Sequence, residues 1–198
     1  FIGEYDAPAG RLGESAAIGL GDSLRAKGFH TGRMKTGTPA RVKMSSLDFD
    51  EMERQDGDMP MEAFSFLSDS VDRPSLPCWV TYTNEDTHRI IRENIGRSPL
   101  YGGKIIGKGP RYCPSIEDKV VRFPERERHQ IFVEPEGIGT EEMYLNGLSS
   151  SLPEDVQRAF IHSIPGLRHA EVIRPAYAVE YDYLDPLDLY PTLESKLM

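Results

Sequence analysis

Three observations on this sequence predict an α/β fold. Runs of strand composition alternate with runs of helical spacing, Gly and Pro punctuate the junctions, and no internal repeat or low-complexity tract breaks the alternation. With 198 residues, 38% of them hydrophobic, the chain can supply one sizeable core or two small ones.

In order along the chain, Ala16 to Lys27 sets Ile18, Leu20 and Leu24 among small and charged residues and stops at Gly28, the pattern of a short helix closed by a glycine. Phe29 to Thr38 reads as strand and turn. Ser45 to Pro74 combines Asp56-Gly57-Asp58 and Pro60 with few periodic apolar positions, so a loosely packed segment anchored by Phe64, Phe66 and Leu67 is expected there. Cys78 to Tyr82 has strand composition, with Cys78 as a core residue unpaired with Cys113. Thr83 offers a helix N-cap with Asp86 three residues on, opening a helix through His88, Ile91 and Ile95 to Gly96; His88 is expected on its solvated side. Lys104 to Ile106, Val120 to Phe123, Gln130 to Val133, Glu171 to Arg174 and Ala176 to Tyr181 are further strand candidates. Ser151-Leu152-Pro153-Glu154 reads as a capping box before a helix spaced by Val156, Phe160 and Ile164.

Composition excludes several classes. No stretch approaches the ~20 apolar residues of a membrane-spanning helix, no signal peptide is evident, and two cysteines make neither a disulfide framework nor a metal site. A soluble, cytoplasmic protein without a metal is expected. The net charge of −9 argues against a surface that binds nucleic acid throughout, but the charge is segregated. Six basic residues and no acidic ones lie between Arg25 and Lys43, whereas nine acidic residues face Arg54 alone between Asp48 and Asp72. Arg33, Lys35 and Arg41 are therefore candidates for contacts to a nucleic-acid phosphate backbone.

The most specific stretch is Gly109-Pro110-Arg111-Tyr112-Cys113-Pro114-Ser115-Ile116-Glu117-Asp118-Lys119. Pro114 biases Cys113 towards extended backbone and presents its thiol from a turn. A thiol reacts as thiolate, and nearby cations favour that form; Arg111 and Lys119 are the candidate sources. Ser115, Glu117 and Asp118 add groups able to bind a polar ligand or relay a proton. The other reading of Cys113 is a small buried hydrophobe.

This stretch closely resembles the signature of the GidA/MnmG family. Gly10-Arg11-Leu12-Gly13-Glu14, Lys35-Thr36-Gly37-Thr38-Pro39, Thr83-Asn84-Glu85, His129 to Gly137, Ser151-Leu152-Pro153 and Glu180-Tyr181-Asp182-Tyr183 extend the resemblance along the chain. The resemblance implies part of a glutathione-reductase-like FAD-binding fold with inserted α/β lobes. Residues 1–44 would belong to the FAD-binding domain, 45–104 to a first inserted lobe on the nicotinamide or substrate side, and 105–142 to a return carrying the Cys motif. Residues 143–175 would form a second insertion and 176–198 the last return.

It further implies a flavoprotein that builds a carboxymethylaminomethyl-type group on C5 of the tRNA wobble uridine. FAD, NADH and 5,10-methylenetetrahydrofolate would take part, with the GTPase MnmE as partner and the parent protein as a homodimer. Cys113, Arg111 and Lys119 would be catalytic, and Arg11, Gly13, Glu14 and Lys35 to Pro39 would surround FAD. The whole stretch from Gly109 to Lys119, with Pro110, Tyr112, Pro114, Ser115, Ile116, Glu117 and Asp118, would lie on the flavin or nicotinamide side. No Gly-x-Gly-x-x-Gly occurs, so the chain is expected to be the middle of a longer protein. As an isolated piece it would be a non-catalytic tRNA- or nicotinamide-binding lobe; a folate- and FAD-dependent tRNA uridine methyltransferase is the related alternative.

Overall fold

The computed structural model describes residues 1–11, 13–110 and 113–197. Its elements are α1 (Leu20–Ala26), β1 (Thr31–Thr38), β2 (Arg41–Lys43), β3 (Glu53–Gln55), β4 (Cys78–Tyr82), α2 (Glu85–Glu93), α3 (Ile116–Arg122), β5 (Gln130–Pro135), β6 (Glu142–Asn146), α4 (Glu154–His162), β7 (Val172–Arg174) and β8 (Tyr177–Leu184). The fold is mixed α/β. One sheet has the order β3-β4-β5-β6-β2-β7, with every neighbouring pair antiparallel, and β1 and β8 form a separate antiparallel ribbon.

Period-two burial builds the core. Ile131 and Val133 of β5, Met143 and Leu145 of β6 and Val42 of β2 are buried, and they join Ile91 of α2, Ile116 and Val120 of α3 and Val156, Phe160 and Ile161 of α4 in one cluster. Phe160 has no exposed surface. Phe160→Ala is expected to cost about 3–5 kcal/mol in a urea titration, through lost burial and the cavity left behind. A cost under about 1 kcal/mol would mean that α4 does not hold this core.

The sheet crosses the boundaries expected at 104/105 and 142/143: β4 pairs with β5, and β6 spans residues 142 and 143. Other expectations change as well. Val120 to Phe123 is not a strand; Val120 and Val121 lie in α3, where a reciprocal capping box between Ser115 and Asp118 outweighs β-propensity. Lys104 to Ile106 forms no strand, and its neighbour Lys108 makes a single parallel bridge to Met34. Asn84, not Thr83, caps α2, and Pro153 caps α4 without a side-chain bond. Both displaced hydroxyls are taken by distant partners: Thr83 meets His88 and His129, and Ser151 bonds Glu117. His88 is buried at 2% exposure, not solvated. Phe64, Phe66 and Leu67 anchor nothing; all three are fully exposed.

Candidate functional site

The site forms where the ribbon meets the Cys113 turn. The Lys35 N–H donates to the Lys108 carbonyl at 3.1 Å and the Lys108 N–H to the Arg33 carbonyl at 3.3 Å, so residues 106–109 run against the free edge of β1. This approach needs Gly107: a Cβ there would stand 2.9 Å from the Met34 carbonyl carbon and 3.0 Å from Glu180 Oε1. Glu180 fastens the same segment. Its Oε1 accepts the N–H groups of Ile106 and Gly107, and its Oε2 pairs with Arg33 at 3.0 Å. Burial works against its charge, but these bonds hold its carboxyl below the usual range.

From Gly109, whose Cβ would lie 3.8 Å from the Lys35 carbonyl oxygen and 3.9 Å from that of Cys113, the chain turns into α3. The Cys113 N–H donates to the Pro110 carbonyl at 3.2 Å, and the Cys113 side chain is half-buried. Arg111 and Tyr112, expected beside it, lie outside the described residues, as does Leu12 of the first motif. Asp118 fixes the helix start. Its Oδ2 accepts the Ser115 hydroxyl at 3.1 Å and N–H at 3.3 Å, and its Oδ1 accepts the Tyr101 hydroxyl at 3.1 Å. Burial, reinforced by the Asp118 charge, pushes Tyr101 up to about 12, so it remains a donor at neutral pH.

Lys119 takes a different place from the one expected. Its ammonium donates to the Gly147 carbonyl at 3.2 Å, and burial lowers its pKa. No ion pair or hydrogen bond ties it to Cys113 among the described residues.

Glu117 and Lys35 are internal. Glu117 has no exposed surface: its Oε1 accepts the Ser151 N–H at 2.9 Å and hydroxyl at 3.2 Å, while its buried Oε2 has no partner among the described residues. Burial raises its pKa against the opposing pull of the Ser151 bond and the Lys35 charge. Lys35 is 2% exposed, so its ammonium does not meet solvent or a phosphate backbone in this chain, contrary to the tRNA contact expected of it.

Of the other five basic residues of the stretch, all but Lys27 have carboxylate partners among the described residues. Arg33 pairs with Glu180 and with Asp182 at 2.9 Å. Arg41 pairs with Glu136 at 2.6 Å, bonds the Pro39 carbonyl and lies over the Tyr144 ring. Arg25 pairs with Asp22 and Asp182, and Lys43 approaches Glu171. Most of the run that is unopposed in sequence is opposed in space, so Arg33 and Arg41 are not free cations.

Gly10, Arg11 and Gly13 line a cavity of about 270 Å³ together with Phe1, Ile2, Tyr5 and Tyr177 to Glu180 of β8. An adjoining groove of about 750 Å³ shares Phe1, Ala7, Ala9, Gly10, Val179 and Glu180. Gly13 has φ +84° and open space where a Cβ would stand, and Ala178 and Val179 add an apolar wall. This trough fits a planar ring with polar substituents. Glu14 is held against Arg11 by an exposed ion pair of 2.6 Å. Thr36, Gly37, Thr38 and Pro39 do not line either cavity; the first three lie on β1, paired with β8, and Pro39 follows it.

Sequence reasoning missed Glu180 and Tyr101 as the ties of the Cys113 segment. Nothing local could have marked them, since their partners lie 73 and 17 residues away.

The chain matches, over residues 1–198, the family model described as glucose inhibited division protein A. A tRNA uridine 5-carboxymethylaminomethyl modification enzyme MnmG of Borrelia garinii is 61% identical over 99% of this chain and 32% of its own length. The protein of that name from Treponema pallidum is 57% identical over 99% of this chain and 31% of its own. Among solved structures, Aquifex aeolicus GidA in its form I crystal superposes with a TM-score of 0.91 at 52% identity, covering all of this chain and 34% of that one. The form II crystal gives 0.88 at 48% identity. The chain thus spans about a third of the length of the curated relatives it matches.

Proposed function

Because the chain belongs to the glucose inhibited division protein A family, we propose that it is part of an enzyme modifying the tRNA wobble uridine, building a carboxymethylaminomethyl-type group on C5. The observation that carries this reading beyond the family match is the Cys113 turn. A half-buried thiol is set on a turn that Ser115, Asp118, Tyr101 and Glu180 hold against β1.

C5 of uracil is a poor nucleophile, and adding sulfur to C6 activates it. In the proposed step the Cys113 thiolate bonds to C6, and the C5–C6 π pair moves onto C5 and O4 as an enolate. C5 then bonds to the methylene carbon of the folate co-substrate in its iminium form, whose C=N π pair returns to the folate nitrogen; an amine later displaces that nitrogen. Loss of the C5 proton to solvent and expulsion of the thiolate from C6 restore both the ring and Cys113. The uridine leaves its stack to reach the sulfur.

Gly10, Arg11 and Gly13 with the β8 wall would hold the isoalloxazine of FAD, which supplies hydride chemistry to the one-carbon unit when bound. Reduced nicotinamide and methylenetetrahydrofolate are the co-substrates of this reading, with MnmE as the GTPase partner, a homodimer as the working form and the cytoplasm as its place.

The test uses the full-length protein. It is expected to purify with a flavin absorbance band and, supplied with these co-substrates and the GTPase partner, to add the substituent's mass to the wobble uridine in digested tRNA. Unchanged nucleosides from a flavin-loaded protein would overturn the reading.

A further inference from the structure

A separate cavity of about 620 Å³ lies between the start of α2 and the turn leading from α3 into β5. None of its lining residues belongs to the Cys113 turn. On one side stand Thr83, His88 and Arg92; on the other stand Arg126 and Arg128.

The hydrogen bonds around Thr83 favour one tautomer of His88. Thr83 Oγ1 accepts the His129 N–H at 2.8 Å and lies 2.8 Å from His88 Nε2. Sending the hydroxyl's one proton to Nε2 gives that proton an acceptor, whereas the other tautomer leaves it without one among the described residues. A neutral His88 is then protonated at Nδ1, which has no acceptor among the described residues although the residue is 2% exposed. A buried ring lining the cavity thus keeps one unused N–H donor.

The cations around it are unused too. Arg92 and Arg126 have no carboxylate partner among the described residues, and Arg128 lies 4.2 Å over the Tyr82 ring, leaving its edge N–H groups available. Glu85, Glu125 and Glu127 also line the cavity and are exposed and unpaired. Both histidines are held below their ordinary range. His88 is lowered to about 4 by burial, then by His129 and Arg92; His129 is lowered by burial, then by Lys119 and Arg126, with Glu125 opposing. Three carboxylates in the lining disfavour a long polyanion, so a compact anion held by the guanidinium forks is the better match.

We propose that this cavity binds the phosphate or pyrophosphate group of a nucleotide, with Arg92 and Arg126 neutralising its charge and His88 Nδ1–H donating to a phosphate oxygen. Guanidinium forks suit phosphate oxygens, and a charge-assisted bond from a desolvated imidazole adds orientation. The site needs no chemistry at Cys113 and stands or falls separately from it.

The probe is inorganic pyrophosphate, titrated calorimetrically into the full-length protein at fixed salt. Binding is expected, and Arg92→Ala with Arg126→Ala is expected to weaken it roughly 10-fold or more. Both side chains are exposed, so the melting temperature should not move; Arg92→Lys with Arg126→Lys, which keeps charge but loses the fork, checks the geometry and should bind between the two. NADH and an anticodon stem-loop RNA are the two source arms. Competition by NADH that is lost in the alanine variant assigns the phosphate to a dinucleotide, and competition by the RNA with a salt slope reduced in that variant assigns it to a backbone. Absent pyrophosphate binding, or equal binding by parent and alanine variant, overturns the proposal. Nitrogen-15 shifts showing Nε2 of His88 as the protonated nitrogen would overturn its donor role.

Discussion

Glu117→Ala is expected to lower the unfolding free energy by about 2–4 kcal/mol at pH 6, whereas Glu117→Gln is expected to preserve it and to exceed the parent at pH 8. The alanine removes the acceptor of the Ser151 N–H and hydroxyl and leaves a buried backbone donor unpaired. Glutamine keeps that acceptor and places a neutral group where the unpartnered Oε2 stands. The pH dependence follows from the direction of the shift. Burial raises the folded pKa of Glu117 above its ordinary value of 4.5, so the stability this group contributes is complete below that value and is lost as pH rises through the folded pKa. The advantage of Gln over Glu should therefore grow from pH 5 to pH 8. His88 and His129 act in the opposite sense: their folded pKa values are depressed, so they cost stability as pH falls below 6.5. They are present in both variants and cancel in the difference. Urea midpoints at pH 5, 6.5 and 8 measure it. A Gln-minus-Glu difference that is flat across that range would mean that Lys35 compensates the buried carboxylate fully.

The contrast between Glu117 and its neighbours shows where the sequence speaks plainly. Cys78 to Tyr82, Gln130 to Val133 and the helix of Val156 and Phe160 carry their periods in their own residues, and they fold as those periods predict. The turn at Cys113 stands out in the sequence as a candidate site because its residue types are unusual together. Three features were not legible, each for a tertiary reason. Ser115 and Asp118 form a capping box whose reciprocal bonds turn the β-branched Val120 and Val121 into helix. Thr83 and Ser151 look like caps, but their hydroxyls are committed to His129 and Glu117, residues 46 and 34 positions away. The basic run from Arg25 to Lys43 looks free because its carboxylate partners Glu136, Glu171, Glu180 and Asp182 arrive from β5, β7, β8 and their approaches. Charge patterning along a chain records composition. Which charges remain unpaired is decided by strand pairing, here above all by the register that sets Arg33 opposite Asp182 and Lys35 opposite Glu180.

In the full-length protein, Cys113→Ser is expected to remove tRNA modification by on the order of 10³-fold or more while leaving flavin content and melting temperature near those of the parent. The swap is nearly isosteric, and among the described residues the bonds that shape the turn do not pass through sulfur. The Cys113 N–H meets the Pro110 carbonyl through the main chain, and Ser115, Asp118 and Tyr101 fix the helix start independently. What serine lacks is an accessible anion: a thiol is a few per cent ionised near pH 7, an alcohol essentially not at all. Lys119 donates to the Gly147 carbonyl and makes no hydrogen bond or ion pair with Cys113 among the described residues, and the half-buried thiol is presented from the turn. Two roles for the sulfur separate in one experiment. A nucleophile at C6 leaves protein and tRNA covalently joined when turnover is quenched with denaturant, and the serine variant shows no such species. A thiol that only moves a proton leaves no adduct in either, and serine then retains part of the rate. An unchanged rate in the serine variant would remove Cys113 from the chemistry altogether and return it to the other reading of the sequence, a small hydrophobe packed beneath a turn.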